Sequence, residues 1–112
     1  MRVFQLAFLE EARKFLCHIP QQASRKVLYN MWRVAEGERN SELFKKLEGT
    51  DVWEFRTLYN GVAYRLFAFW DTDKETLVVA THGIIKKTQK TPKKEILRAE
   101  MMMKQYFESR NK

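Results

Sequence analysis

Apolar and polar positions repeat with a helical period at both ends of this chain and with a period of two in between. From about Phe8, the residues Phe8, Ala12, Phe15 and Leu16 share one face, while Glu10, Glu11, Arg13 and Lys14 lie off it. Ile19-Pro20 closes that helix, because the residue before a proline is driven out of the helical region. Pro20 suits the first turn of a second helix, Gln21 to about Ala35, with Ala23, Val27, Met31 and Val34 in one stripe, Leu28 and Trp32 beside it, and Gly37 as its stop. The two helices read as an αα-hairpin. A short strand is expected within Met1 to Leu6. After the polar connection Glu38-Arg39-Asn40, Ser41 is expected to cap a short helical turn that runs through Leu47 and ends at Gly49.

Alternation takes over from Val52 to Trp70. Asn60-Gly61 between two apolar-rich runs signals a β-hairpin with a type I′ turn, since both residues tolerate positive φ. A two-residue turn sets the register, so Tyr59 faces Val62, Leu58 faces Ala63, Thr57 faces Tyr64, and Arg56 faces Arg65. One face carries Trp53, Phe55, Thr57, Tyr59, Val62, Tyr64, Leu66 and Ala68, a core face that should pack on the helical hairpin. The other carries Val52, Glu54, Arg56, Leu58, Ala63, Arg65, Phe67 and Phe69, and should be open to solvent or covered only by something that comes and goes. Like charges directly opposite across a strand pair are destabilising, so Arg56 and Arg65 require a reason. Either an anionic ligand sits between two guanidinium forks, or each arginine has its own carboxylate, with Glu54 diagonal to Arg65.

Thr76 to Ile85 is β-rich again and should extend the hairpin into a meander. Lys86 to Thr91 forms a basic loop. Thr91-Pro92 then reads as an N-cap followed by proline at the first helical position, opening a last helix with Ile96, Ala99, Met103 and Tyr106 in one stripe and Met102 and Phe107 alongside. The expected fold is α+β in a single domain, 1–112: two N-terminal helices packed on a small twisted antiparallel sheet, with a C-terminal helix.

Charge sharpens this picture. The net charge is +7, and Lys86, Lys87, Lys90, Lys93, Lys94 and Arg98 against Glu95 concentrate +5 of it between positions 86 and 98. Lysines in the first turn of a helix oppose its dipole by a few tenths of a kcal/mol, roughly, unless an anion is near. Such a segment reads either as a solvated charge run or as a phosphate-binding surface. Phe67, Phe69 and Trp70 can stack on bases or serve as ordinary sheet packing. His82, at the end of the third strand, and Glu54 are candidates for proton transfer; His18, beside a helix end, reads as structural. The single Cys17 allows no internal disulfide, no Cys/His grouping has zinc spacing, and no segment has the length of a membrane span, all of which suits a soluble cytoplasmic protein. There is no Gly-rich phosphate loop, no nucleophile elbow and no acidic cluster of two-metal type. Nucleic-acid cleavage by this chain is therefore expected to be metal-free and cofactor-free, with lysine, histidine or glutamate moving protons and arginine stabilising charge on phosphorus. That route needs a 2′-hydroxyl nucleophile and so selects RNA.

The ordered set Leu47-Glu48-Gly49, Val52-Trp53-Glu54-Phe55-Arg56, Gly61-Val62-Ala63-Tyr64-Arg65 and His82-Gly83-Ile84-Ile85-Lys86-Lys87-Thr88-Gln89-Lys90-Thr91-Pro92 resembles the RelE/ParE superfamily of type II toxins, in its phage-derived, HigB-like branch. The resemblance implies a metal-independent endoribonuclease that cuts mRNA on the ribosome. It also implies a cognate helix-turn-helix antitoxin and a toxin–antitoxin hetero-oligomer, with no membrane partner. Carried over by position, Arg56, Arg65, Lys86 and Lys87 match the catalytic motif, with Glu54 and His82 as proton-transfer candidates. Lys90, Lys93, Lys94 and Arg98 would hold RNA or ribosome. Many relatives place a tyrosine near the end of the site; Tyr106 lies on the packing stripe and is not given that role. A ParE-like inhibitor of DNA gyrase and a non-catalytic nucleic-acid-binding module are the competing readings.

Overall fold

The computed structural model, which describes residues 4–74, 76–87 and 90–110, has the α+β architecture that the pattern predicts. Its elements are β1 (Gln5–Phe8), α1 (Glu10–His18), α2 (Gln21–Ala35), β2 (Phe44–Lys46), β3 (Trp53–Tyr59), β4 (Val62–Trp70), β5 (Leu77–Lys86) and α3 (Lys93–Arg110). The strands form one sheet in the order β1-β5-β4-β3-β2. The β3–β4 hairpin has the expected register, Arg56 opposite Arg65 and Tyr59 opposite Val62. Its turn places Asn60 at φ 49° and Gly61 at φ 75°, the left-handed pair a type I′ turn requires.

Helices α1 and α2 cover the expected core face. Ala12, Ala23, Val27, Met31 and Val34 meet Phe55, Tyr64, Leu66 and Ala68 in the main core. The polar residue on that face is satisfied: Asn30 Nδ2 donates to Thr57 Oγ1 at 3.1 Å. Ile19 is extended ahead of Pro20, as the proline dictates. Gly37, at φ 117°, ends α2 with its own N–H on the Val34 carbonyl and the Glu38 N–H on the Arg33 carbonyl, the paired bonds of a Schellman stop.

Several expectations are corrected. The segment from Ser41 to Leu47 is not helical; it holds strand β2, because Phe44 stacks on Phe55 (4.3 Å) and Trp53 (4.7 Å) while its backbone pairs with β3. Asn40, not Ser41, organises the turn before it, its side chain accepting the Glu42 N–H at 2.9 Å. Gly49 (φ 78°) turns a β-hairpin rather than ending a helix. The sheet is antiparallel except at one edge, where β1 pairs parallel to β5. That strand runs to Phe8, and Met1 to Val3 lie outside the described residues. Leu28 and Trp32, beside the stripe, are 41% and 56% exposed.

The second face is only half open. Helix α3 lies over it, burying Phe67, Val52 and Ala99 together, and Phe69 packs on Tyr106 and Phe107 at 5.2 and 5.6 Å. Phe67 and Phe69 are therefore wall residues, not presented to bases, and Trp70 packs half-buried against the other core. The C-terminal end of α3 is tied down by Asp71, a fully buried carboxylate. It accepts N–H bonds from Asp73 and Lys74, a bond from Tyr106 Oη at 2.8 Å, and a short ion pair from Arg110.

Candidate active site

Strand alternation puts Glu54, Arg56 and Arg65 on the half of the second face that α3 leaves uncovered. Their neighbours supply two lysines: Lys86 ends β5 opposite Ala63, and Lys45 lies on β2 directly opposite Glu54. The sequence pattern did not mark Lys45, because its segment read as a helical turn; the apolar Phe44 beside Lys45, ahead of a Gly49 turn, was the signal available.

Glu54 is 2% exposed and sits between the arginines. Its Oε1 is 3.6 Å from Nε of Arg56 and 3.6 Å from Nε of Arg65, too long for a hydrogen bond to either. Both Nε–H groups are buried with no hydrogen-bond partner among the described residues. An unsatisfied buried donor costs on the order of 1–3 kcal/mol. The two readings of the opposed arginines thus meet: one carboxylate is shared by two guanidiniums and satisfies neither. Arg65 donates Nη1 to the Tyr64 carbonyl at 3.1 Å, and Arg56 reaches the Ser41 carbonyl. Burial pushes the Arg65 pKa down, and Arg56 adds to the shift while Glu54 opposes it. Lys86 is held below the ordinary lysine value by burial; Arg65, Arg56 and Lys45 act in the same direction and Glu54 against it. The cluster is a partly desolvated, net-positive surface, which is what an anion-binding site needs.

Thr91 joins this cluster to the basic segment. Its hydroxyl donates to Glu54 Oε2 at 2.9 Å instead of capping α3, whose first turn closes on the Pro92 carbonyl. Lys87 is exposed beyond the strand end. Lys90 and Lys93 line a cleft of about 700 Å³ with Thr50, Thr91 and Ile96 at the head of α3, and Lys94 is exposed beside it. Thr88 and Gln89 of the loop lie outside the described residues. Arg98 points elsewhere, pairing with Glu11 of α1 at 3.2 Å.

His82 is on the arginine face but beneath α3. It is 1% exposed, stacked on Phe67 at 4.9 Å, with Nε2 3.0 Å from Glu95 Oε1 and Nδ1 3.0 Å from Thr81 Oγ1. Burial lowers its pKa, against the raising effect of Glu95. A β-bulge at this point, between the Phe67 and Ala68 pairings, turns the histidine to the α3 side. The adjacent Gly83 is required by packing: a Cβ there would lie 2.4 Å from the Phe15 ring. The His-Gly pair thus belongs to the sheet's contacts with two helices. Tyr106 serves Asp71, as its place on the packing stripe implies. His18 bonds the Lys14 carbonyl at 2.6 Å, a helix-end role. Among the described residues no group of His, Cys, Asp and Glu is arranged to hold a metal ion, and no helix is long and apolar enough to cross a membrane.

Comparison with known proteins follows the same lines. Residues 14–104 match the family described as "Phage derived protein Gp49-like (DUF891)". Among solved structures, the chain is similar to a mutant of E. coli toxin RelE in the free state. The identity is 21% and the TM-score 0.56, over 74% of this chain and 82% of that one. It is also similar to a chain of the toxin–antitoxin complex RelBE2 from Mycobacterium tuberculosis, at 22% identity and TM-score 0.49, over 77% and 94%. No curated protein matches. The family match spans most of the chain, and the sheet with its flanking helices has the RelE fold; the protein belongs to the phage-derived Gp49-like family.

Proposed function

We propose that this protein is the toxin of a type II toxin–antitoxin pair and acts as a metal-independent endoribonuclease on mRNA at the ribosome. The observation that carries the reading is the pair of opposed arginines whose buried Nε–H groups lack acceptors beside Glu54, Lys86 and Lys45. The fold shared with RelE, itself named a toxin, supports it. A phosphodiester seated over Arg56 and Arg65 would be met by their guanidiniums, and both would strengthen their hold as charge builds on the pentavalent phosphorus. The neighbouring 2′-oxygen attacks phosphorus and its proton passes to a base. The bond to the 5′-oxygen breaks and that oxygen takes up a proton, leaving a 2′,3′-cyclic phosphate and a 5′-hydroxyl. Lys86, on the arginine face at the end of β5 and held below the ordinary lysine value by burial, would take part in proton transfer. Glu54 orients the arginines from behind, and His82 is held by Glu95 away from the open half. Lys87, Lys90, Lys93 and Lys94 track flanking phosphates of message or ribosomal RNA, and a cognate helix-turn-helix antitoxin completes a hetero-oligomer.

The test is induced expression followed by mapping of message ends, with and without ribosomes in a purified system containing a chelator. Cuts within translated messages that carry cyclic phosphate ends are expected. The same cuts should vanish when the scissile nucleotide lacks its 2′-hydroxyl. Growth arrest with intact messages would overturn the mechanism, and a supercoiling assay would then examine the gyrase reading.

A further inference from the structure

Helix α2 carries a second surface that the candidate active site does not use. At 100° per residue, Arg25, Tyr29, Trp32 and Glu36 fall within an arc of about 60° on the side of the helix pointing away from the core. Tyr29 and Trp32 are each 56% exposed, Leu28 beside them is 41% exposed, and Arg25 and Glu36 are exposed at the two ends. Two large aromatics side by side at the solvent pole of a helix are unusual where a polar face is expected. Lys26 and Arg33 flank the Tyr29 ring at 5.2 and 5.7 Å. Arg33 is already paired with Glu38, whereas no acidic partner of Arg25 and no basic partner of Glu36 is found among the described residues.

We propose that this face of α2 pairs with the same face of a second copy of the chain, antiparallel, about a two-fold axis between Asn30 and Met31. The spacing 25, 29, 32, 36 is the four-three-four repeat of a helix–helix seam, and its charge is self-complementary only under that two-fold. Arg25 meets Glu36 of the second copy at both ends, and Tyr29 meets Trp32 of the second copy in the middle. An isologous contact of this kind closes on itself. RNA is the less fitting occupant, because Glu36 and Glu38 stand at one end of the patch. One helix face a side is small for a stable interface, so the dimer is reversible and concentration-dependent. Helix α2 and the arginine cluster lie on opposite faces of the sheet, so both candidate sites stay open in the dimer.

Sedimentation equilibrium of the full chain, from micromolar to near-millimolar concentration, tests this directly. The mass should rise from the 13.5 kDa of one chain toward twice that. Trp32→Ala, Arg25→Glu and Glu36→Arg should each weaken association by about tenfold or more, with helix content and melting unchanged since the altered side chains are exposed. Mixing Arg25→Glu with Glu36→Arg should restore association, because each copy then presents the charge the other lacks. A chain monomeric throughout, or variants that associate as the native chain does, would overturn the proposal. So would a mixture that stays monomeric. In those outcomes the patch serves a different protein or an RNA.

Discussion

Arg65 is the more buried of the two opposed arginines, its side chain 10% exposed against 29% for Arg56, and that asymmetry makes it the sharper probe. Arg65→Ala removes one of two like charges held by a single carboxylate, so stability should stay within about 1 kcal/mol of the native value or rise. Cleavage should fall by roughly 10²–10³-fold, the usual effect of losing a donor to transition-state charge. A marked drop in melting temperature would show Arg65 to be a structural counter-ion of Glu54 and would remove the main support for a phosphate site. Lys86 gives a second expectation. Its lowered pKa means the neutral amine forms below the ~10.4 of free lysine, so the cleavage rate should rise with pH and level off below that value. Lys86→Arg keeps the charge but stays protonated; it should flatten the rise and slow cleavage by about 10²–10⁴-fold while RNA binding persists. An unaltered pH profile in that variant would exclude Lys86 as the proton-transfer group.

Strand β5 and helix α3 hold their places through contacts that a periodicity argument does not reach. Gly83 admits the Phe15 ring of α1 where any Cβ would collide. Gly83→Ala should therefore cost about 1–3 kcal/mol by overpacking, and adding Phe15→Leu should return part of it; denaturant midpoints of the single and double variants decide. Asp71 anchors the far end of α3. Burial pushes its pKa up, but the bonds from Tyr106 and Arg110 outweigh that and hold it below the usual carboxylate range. A depressed folded-state value means its contribution is complete above the unfolded value near ~3.9 and is lost as pH falls through the folded value. Melting temperature should therefore drop as pH falls below about 4. Asp71→Asn should lower melting at neutral pH and lose much of that acid dependence. Equal acid sensitivity in both proteins would mean that other carboxylates govern it.

At the scale of the whole molecule, the net charge of +7 is distributed unevenly, and only part of it faces the candidate site. With Lys45, Arg56, Arg65 and Lys86 at the scissile phosphate and Lys87, Lys90, Lys93 and Lys94 on its neighbours, binding to single-stranded RNA should weaken with salt at a log–log slope of about −6. Reversing Arg98, which is engaged by Glu11, should leave that slope unchanged, whereas Lys45→Glu should reduce it. Equal effects would mean that binding follows overall charge and not this cluster. What the amino-acid pattern determined by itself was local and periodic. The two N-terminal helices, the Asn60-Gly61 turn with its register and therefore the meeting of Arg56 with Arg65 all follow from backbone preferences acting over a few residues. The family resemblance followed from the order of short motifs. Tertiary structure decided the rest. It made a strand of Phe44–Lys46, because stacking on Phe55 and pairing with β3 outweigh a weak helical preference, and so brought Lys45 to the site. It also laid α3 over Phe67 and His82 and left Trp32 outside. These outcomes depend on which surfaces meet across tens of residues, and a pattern of neighbours carries no information about that. The arginine pair is thus a property of one hairpin, but its buried, unsatisfied donors and the lysines beside them are a property of the folded sheet.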